Sequence, residues 1–362
     1  MKNLKIDSSD FKKAIICKNV SSTFVNAEII KTHIPKAGDV AIFRVGEIGK
    51  HTRIQTETGN LKYILPGDLI MAAFGNRYAT GQLEGYVPDS YQETYHILGQ
   101  GGAIGVMASI HEKLEDVGPT TLELVGYVVN EESRVINTKY FNYKNSLDNH
   151  LQIDTDNKII LSLGTSMDSG KTTSAAFLAR GLKLAGKRVA YIKLTGTVHA
   201  KDKGMVSDFG AMLSIDFSYF GFPSTYMCPT EEILTLFDRL LKRVKTIHPD
   251  YILVEVADGL LQKETNGLIH EPRFRKKVDG VIFSSGDSIS AIAGADLLSE
   301  LGYNVLGLTG LFTRSPLLMN EVQQKSGYAV FNGENLMSEN ILETVLQTLS
   351  YENTKRKMAS AV

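Results

Sequence analysis

The stretch Gly164-Thr165-Ser166-Met167-Asp168-Ser169-Gly170-Lys171-Thr172-Thr173 constrains this chain more than any other. It follows the apolar run Ile159-Ile160-Leu161-Ser162-Leu163, which reads as a buried strand. From Thr172 to Ala185 the apolar residues recur at helical spacing, without proline. A strand, a glycine-rich turn, Gly-Lys-Thr and a helix make the layout of a phosphate-binding loop. Its backbone N–H groups form a concave anion site, and the helix N-terminus adds its dipole. Lys171 then reaches the outer phosphates, and the Thr172 hydroxyl sits on Mg²⁺. One departure stands out: five residues separate Gly164 from Gly170, where the usual spacing is four.

A chain of 362 residues exceeds what one core serves, so two domains are expected. Residues 1–147 read as β-rich. Strands are predicted at Val40–Val45, Leu61–Leu65, Leu69–Phe74, Gly81–Val87, Leu122–Val129 and Arg134–Phe141, with Gly-containing turns between several of them. Short strands at this spacing suggest a small barrel or sandwich. Residues 142–157 read as a polar linker. Beyond them strands are predicted near 158–163, 188–194, 250–256, 279–284, 304–309 and 327–331. Helices are predicted near 171–185, 230–247, 289–302, 316–326 and 336–349. That alternation predicts an α/β domain over 158–349, its P-loop on a mostly parallel sheet with helices on both faces. Residues 350–362 read as a flexible tail.

The net charge of −1 supplies no basic field for nucleic acid or an anionic membrane. Cys17 and Cys228 are too few for a disulfide framework, and the eight histidines show no i,i+4 pairing of a metal site. The first residues lack an apolar signal core, and no apolar run approaches membrane-spanning length; a cytoplasmic protein is expected.

Strand ends are where α/β proteins place their chemistry. Tyr191-Ile192-Lys193-Leu194-Thr195-Gly196-Thr197 closes the second strand of this domain, and a lysine there either meets an anion or snorkels to the surface. In Ile252-Leu253-Val254-Glu255-Val256-Ala257-Asp258-Gly259 an acid follows a run of apolar residues, as where such enzymes supply a carboxylate to Mg²⁺. Glu255 is the better candidate and Asp258 the next, although Asp258-Gly259 alone reads equally as a turn. A further metal-side acid is expected from 201–216, Asp208 first and Asp216 second, with solvated loop acids as the alternative. In the first domain Gly75-Asn76-Arg77-Tyr78 can present Arg77 to an anionic substrate, and Gly99-Gln100-Gly101-Gly102 is either an anion nest or an ordinary turn. His199, in the loop after Lys193, is either a site residue or solvated.

Together these segments resemble the dethiobiotin synthetase group of P-loop enzymes, the broad class that also holds the molybdopterin-guanine dinucleotide accessory proteins. Gly164-Thr165, four residues, Gly170-Lys171-Thr172 matches that group's loop and accounts for the extra residue. Lys193-Leu194-Thr195-Gly196 looks like a shortened substrate segment lacking its proline, and Glu255-Val256-Ala257-Asp258-Gly259 stands where the group has a glycine-richer run. The resemblance covers 158–331. It implies Thr172 and Glu255 on Mg²⁺, Lys171 on the phosphates, Lys193 and Thr195 towards a small-molecule substrate, and a site that a homodimer can share. The loop from Gly310 to Pro316 lacks the group's adenine-reading asparagine, which leaves ATP and GTP both open. A looser likeness runs to a bacterial branch akin to D-glutamate N-acetyltransferases, for which acetyl-CoA is the implied cofactor.

Three functions therefore compete. The first is a Mg²⁺-dependent, ATP-type enzyme activating a carboxylate or carbamate by phosphoryl transfer, as a ligase does. The second is a CoA-dependent N-acyltransferase with Glu255 or Asp258 as base. The third is a nucleotide-gated accessory protein.

Overall fold

The computed structural model describes residues 4–141, 157–344 and 349. The described chain divides into two contact units. One holds the residues up to 141 together with Thr195–Ala200 and Phe217–Met227; the other holds 157–194, Lys201–Asp216 and the residues from Cys228 onward. Division at a single linker thus misses two segments of the second half that belong to the first unit. The predicted linker and tail lie outside the described residues, save Asn157.

The strands of the first unit are β1 (Leu4–Lys5), β2 (Phe11–Lys13), β3 (Phe24–Asn26), β4 (Val40–Val45), β5 (Arg53–Gln55), β6 (Leu61–Tyr63), β7 (Leu69–Phe74), β8 (Leu83–Tyr86), β9 (Tyr95–Gly99), β10 (Ala103–Ile110) and β11 (Thr121–Val129). Five of them close on themselves: β4 pairs β7, β7 pairs β10, β10 pairs β9, β9 pairs β11, and β11 returns to β4. Only the β7–β10 pairing is parallel. Of the two architectures open from sequence, this is the barrel. Closure leaves these five strands no free edge. Phe43, Phe74, Tyr95 and Tyr127, one from each of four barrel strands, are all buried. Their rings meet mostly edge to face at 5.4–6.0 Å, an arrangement that lets each positive ring edge meet a negative face.

Six strands of this unit escaped the sequence reading: the short β1, β2, β3 and β5, and the barrel strands β9 and β10. Gly99-Gln100-Gly101-Gly102 is the turn that joins the last two, with Gly102 at φ +97°. Arg134–Phe141 is not a strand: Val135 and Asn137 make single bridges, and α1 (Thr138–Phe141) follows.

His51 lies in the first unit, 4% exposed, and its Nδ1 makes no hydrogen bond. Burial, with the charges of Arg77 and Lys50, pushes its pKa from 6.5 down to about 3. An unfolded chain protonates this histidine near pH 6.5, while the native chain resists until near 3. The stability held above 6.5 is therefore lost as pH falls through that window, about 3 kcal/mol by pH 4.5. His51→Gln is expected to remove most of this loss. Denaturant titration at pH 7 and 4.5 checks it, and an unchanged pH slope in the variant would exclude His51 as its source.

The second unit has β12 (Lys158–Gly164), α2 (Lys171–Leu184), β13 (Val189–Lys193), α3 (Lys201–Phe209), β14 (Leu213–Asp216), α4 (Thr230–Lys245), β15 (Tyr251–Glu255), α5 (Lys263–Ile269), α6 (Pro272–Arg275), β16 (Gly280–Ser285), α7 (Ser288–Glu300), β17 (Val305–Gly310), α8 (Pro316–Lys325) and α9 (Gly333–Met337). Its six strands form one parallel sheet in the order β14-β13-β15-β12-β16-β17. The predicted strand at 327–331 reduces to one bridge, Val330 to Leu308. The helix predicted at 336–349 is broken at 338–340: α9 ends before it, and of the described residues beyond it 341–344 and 349 are helical. The acid-bearing segment 201–216, where neither helix nor strand was predicted, holds α3 and β14.

Helices cover both faces of the sheet. Ile282 of β16 packs in the cluster with Ala175, Ala179 and Leu182 of α2 and Val206 of α3. Its neighbour Phe283 points the other way, against Gly294 of α7, where a methyl group would overlap the ring. Strand β12 is flanked by β15 and β16, so its C-terminal end opens between two strands rather than at an edge. Among the described residues no helix is long and apolar enough to cross a membrane.

Candidate functional site at the phosphate loop

The loop grows from the end of β12. Thr165 N–H donates to Ser284 O of β16 at 3.0 Å, which ties the first turn to the sheet. Asp168 (φ 63°) and Gly170 (φ 108°) both take the left-handed conformation, reversing the chain so that α2 starts at Lys171. No side chain caps α2. Its first N–H groups thus face the loop's concavity, as anion binding requires. Ser169 is 1% exposed, and its Oγ has no hydrogen-bond partner. An orphaned hydroxyl in such a loop suits a ligand oxygen.

Lys171 folds back over the loop and donates to Ser166 O at 2.6 Å. Burial lowers its pKa, while Glu255, Asp258 and Asp168 pull it back up. A layer of small polar side chains lies beneath. Ser162 Oγ donates to Lys171 O at 2.9 Å, and Ser284 Oγ reaches Ser174 Oγ at 3.3 Å. These residues were missed from sequence, although serine and threonine recur at the ends of otherwise apolar strands in Ser162, Ser284 and Thr309.

Glu255 ends β15 with 2% exposure. Its Oε1 accepts from Thr172 Oγ1 at 3.0 Å and its Oε2 from the Tyr191 hydroxyl at 2.7 Å. Burial and the Glu255 charge raise the Tyr191 pKa well above its ordinary value, so Tyr191 remains a donor. In the parallel register Lys193 of β13 lies beside Glu255, its Nζ 3.3 Å from Oε1, and also pairs with Asp202. The two carboxylates outweigh burial and hold the Lys193 pKa above the ordinary lysine range. Lys193 is thus locked between two acids rather than presented to solvent.

The acid that α3 contributes is Asp202, in its first turn; Asp208 stands exposed near the far end of that helix. Asp216 is buried and paired with Lys203 at 2.7 Å. Asp258 is half-buried in the turn between β15 and α5, near enough to act on Lys171. Arg77, Asn76, Thr195 and His199 belong to the first unit. Asn76 has a structural part there, donating to Tyr226 O at 3.2 Å and accepting from Val87 N–H at 2.7 Å.

The loop after β17 closes on the phosphate loop. Leu311 N–H donates to Ser169 O at 3.2 Å. A methyl group on Gly310 would come within 2.5 Å of Ser169 O, so glycine alone fits there.

The strand, loop and helix, with Lys171, Thr172 and Glu255 set on a parallel sheet, give the second unit the fold of a P-loop NTPase. Thr172 Oγ1 and the Glu255 carboxylate fit Mg²⁺, being hard oxygen donors side by side at the helix start. No protein-family model matches the chain, and no curated protein matches it. Among solved structures it is similar to the signal recognition particle receptor FtsY from Elizabethkingia anophelis, at 18% identity over 60% of this chain and 75% of that one, TM-score 0.34. A nucleotide-binding protein in complex with ADP from Archaeoglobus fulgidus shares 11% identity over 55% of this chain and 92% of its own, TM-score 0.32. A GTPase from Pyrococcus abyssi shares 16% over 55% and 98%, TM-score 0.30. Likenesses this slight carry no argument about activity, and the assignment of fold rests on the geometry of the loop and sheet.

Proposed function

We propose that this protein binds a nucleoside triphosphate with Mg²⁺ at its phosphate loop and transfers the γ-phosphoryl group to a carboxylate or carbamate, the activating step of a ligase. The observation that carries this reading is the Thr172–Glu255 contact of 3.0 Å at the start of α2, one residue from Lys171. Bound Mg²⁺ would draw charge from the β- and γ-phosphate oxygens. Lys171 exchanges its Ser166 carbonyl for a phosphate oxygen, a stronger, charge-assisted partner. The uncapped N–H groups of α2 and the Ser169 hydroxyl bind further oxygens. The bond from the γ-phosphorus to its bridging oxygen breaks as one to the acceptor oxygen forms, and a nucleoside diphosphate leaves. Lys193 acts as a positioning residue, fixing Glu255 through its ion pair.

Calorimetric titration with ATP, GTP and acetyl-CoA, each with and without Mg²⁺, tests the reading. Mg²⁺-dependent binding of ATP or GTP supports it. Tight Mg²⁺-independent binding of acetyl-CoA, with both triphosphates weak, would make the protein an acyltransferase instead. Nucleotide binding with only slow hydrolysis, unaffected by carboxylates and amines, would leave an accessory protein.

Gly259 gives a second handle. A methyl group there would overlap the Thr165 carbonyl and lie 3.3 Å from Ser166 Cα, pushing on the phosphate loop. Overpacking of this kind costs about 1–3 kcal/mol, so Gly259→Ala is expected to weaken triphosphate binding by about tenfold or more. Wild-type affinity in the variant would show that the turn after β15 does not shape the loop.

A further inference from the structure

In the first unit two cations converge on one neutral oxygen. Lys50 Nζ and Arg77 Nη2 both donate to the side-chain Oε1 of Gln82, the arginine at 2.7 Å. Both cations stand on fixed backbone. Arg77 exchanges two backbone hydrogen bonds with Gly85, at 2.8 and 3.1 Å, and its Nη1 donates to Leu98 O. Lys50 N–H donates to Gly118 O at 2.9 Å. The preceding Gly49 lies so close to Gly118 and Pro119 that a methyl group would come within 2.5 Å of their backbone.

The charge acting on Lys50 is one-sided. Burial and the nearby Arg77 and Lys113 lower the Lys50 pKa to about 8, and no carboxylate pairs with Lys50 among the described residues. His51, next in the chain, stays neutral. Glu84 is engaged elsewhere, accepting from the hydroxyls of Tyr86, Tyr226 and Ser109. Two half-buried cations sharing an amide oxygen repel each other and leave charge-assisted donors on a neutral acceptor. An anion relieves both costs. We propose that Lys50 and Arg77 form an oxyanion subsite of the first unit, with the Gln82 amide oxygen standing where a carboxylate or phosphate oxygen of a small-molecule ligand binds. The subsite goes beyond the phosphate-loop reading and does not depend on it.

The test uses the full chain carrying Lys171→Ala, so that phosphate bound at the phosphate loop does not contribute. Inorganic phosphate and succinate are titrated by calorimetry. Saturable binding of either is expected, weakened about tenfold or more by Lys50→Gln and by Arg77→Gln. Tighter phosphate than succinate assigns a phosphate group, and the reverse a carboxylate. Gln82→Glu keeps the test sound if a charge-deleting variant fails to fold, because it gives both cations an internal partner. That variant is expected to abolish binding of both probes and to return the Lys50 pKa from about 8 towards 10.5. The proposal is overturned if neither probe binds saturably, or if binding survives Gln82→Glu unchanged.

Discussion

Lys171→Ala is expected to reduce nucleotide turnover about a thousandfold or more while leaving the fold in place. The magnitude follows from what one charged donor does for an oxygen that gains charge in the transition state, about 10²–10³ for a single group at such a site. A lysine on the outer phosphates sits at the upper end, because it supplies a full charge where the leaving phosphoryl group gathers it. The fold should survive for a local reason. Lys171 starts α2, where alanine is a good helix former, and among the described residues its side-chain hydrogen bond is to the Ser166 carbonyl of the loop. Removing the side chain leaves that carbonyl without its donor but also removes the cost of burying an ammonium, the same cost that lowers the Lys171 pKa. The two act in opposite directions. Phosphate release from ATP and GTP at saturating Mg²⁺, beside a thermal melt, is the measurement. Hydrolysis at the wild-type rate in a folded variant would remove the phosphoryl-transfer assignment.

How much of this was legible in the sequence differs by locality. Gly164 to Thr173 could be read because loop and helix lie next to each other in the chain, and the left-handed turns at Asp168 and Gly170 are local. Glu255 and Lys193 could be read as acid and base at strand ends. Their mutual contact could not, because it depends on β13 and β15 being neighbours, which no local pattern encodes. Tyr191, the second donor to Glu255, was hidden for the same reason. Asp208 and Asp216 were the acids expected from 201–216, and Asp202 was not among them, because no helix was predicted at 201–209. As a helix this segment carries one acid at each end, and only the first turn meets Lys193. In the first unit, Gly99 ends β9, Gly105 lies within β10, and Gly101 and Gly102 join the two, so glycines blur the alternation that marks a strand. The Lys50–Gln82 contact spans 32 residues and no spacing rule reaches it.

Glu255→Gln separates the two duties that the structure gives this carboxylate. One is structural: Glu255 accepts from Tyr191 and pairs with Lys193 in a buried setting. Glutamine keeps the shape but turns a donor towards one of these donors and takes a charge from Lys193, which retains Asp202. Breaking a buried pair outright costs about 3–5 kcal/mol; with Asp202 still in place a loss of about 2 kcal/mol is expected. The other duty is at Thr172, where a carboxylate oxygen 3.0 Å from Oγ1 can hold Mg²⁺ or its water shell and an amide cannot match its charge. Turnover is therefore expected to fall about a hundredfold or more, with the remaining activity needing far more Mg²⁺ for half-maximal rate. Tyr191→Phe supplies the contrast. It removes the donor to Oε2 and leaves the Thr172 side intact, so about 1 kcal/mol of stability should go while the Mg²⁺ dependence of rate stays as it was. If both variants lose stability and neither changes the Mg²⁺ dependence, Glu255 is a buried anchor for Lys193 and Tyr191. The metal-side carboxylate would then have to be sought at Asp258, the other acid whose charge is felt at Lys171 from the turn after β15.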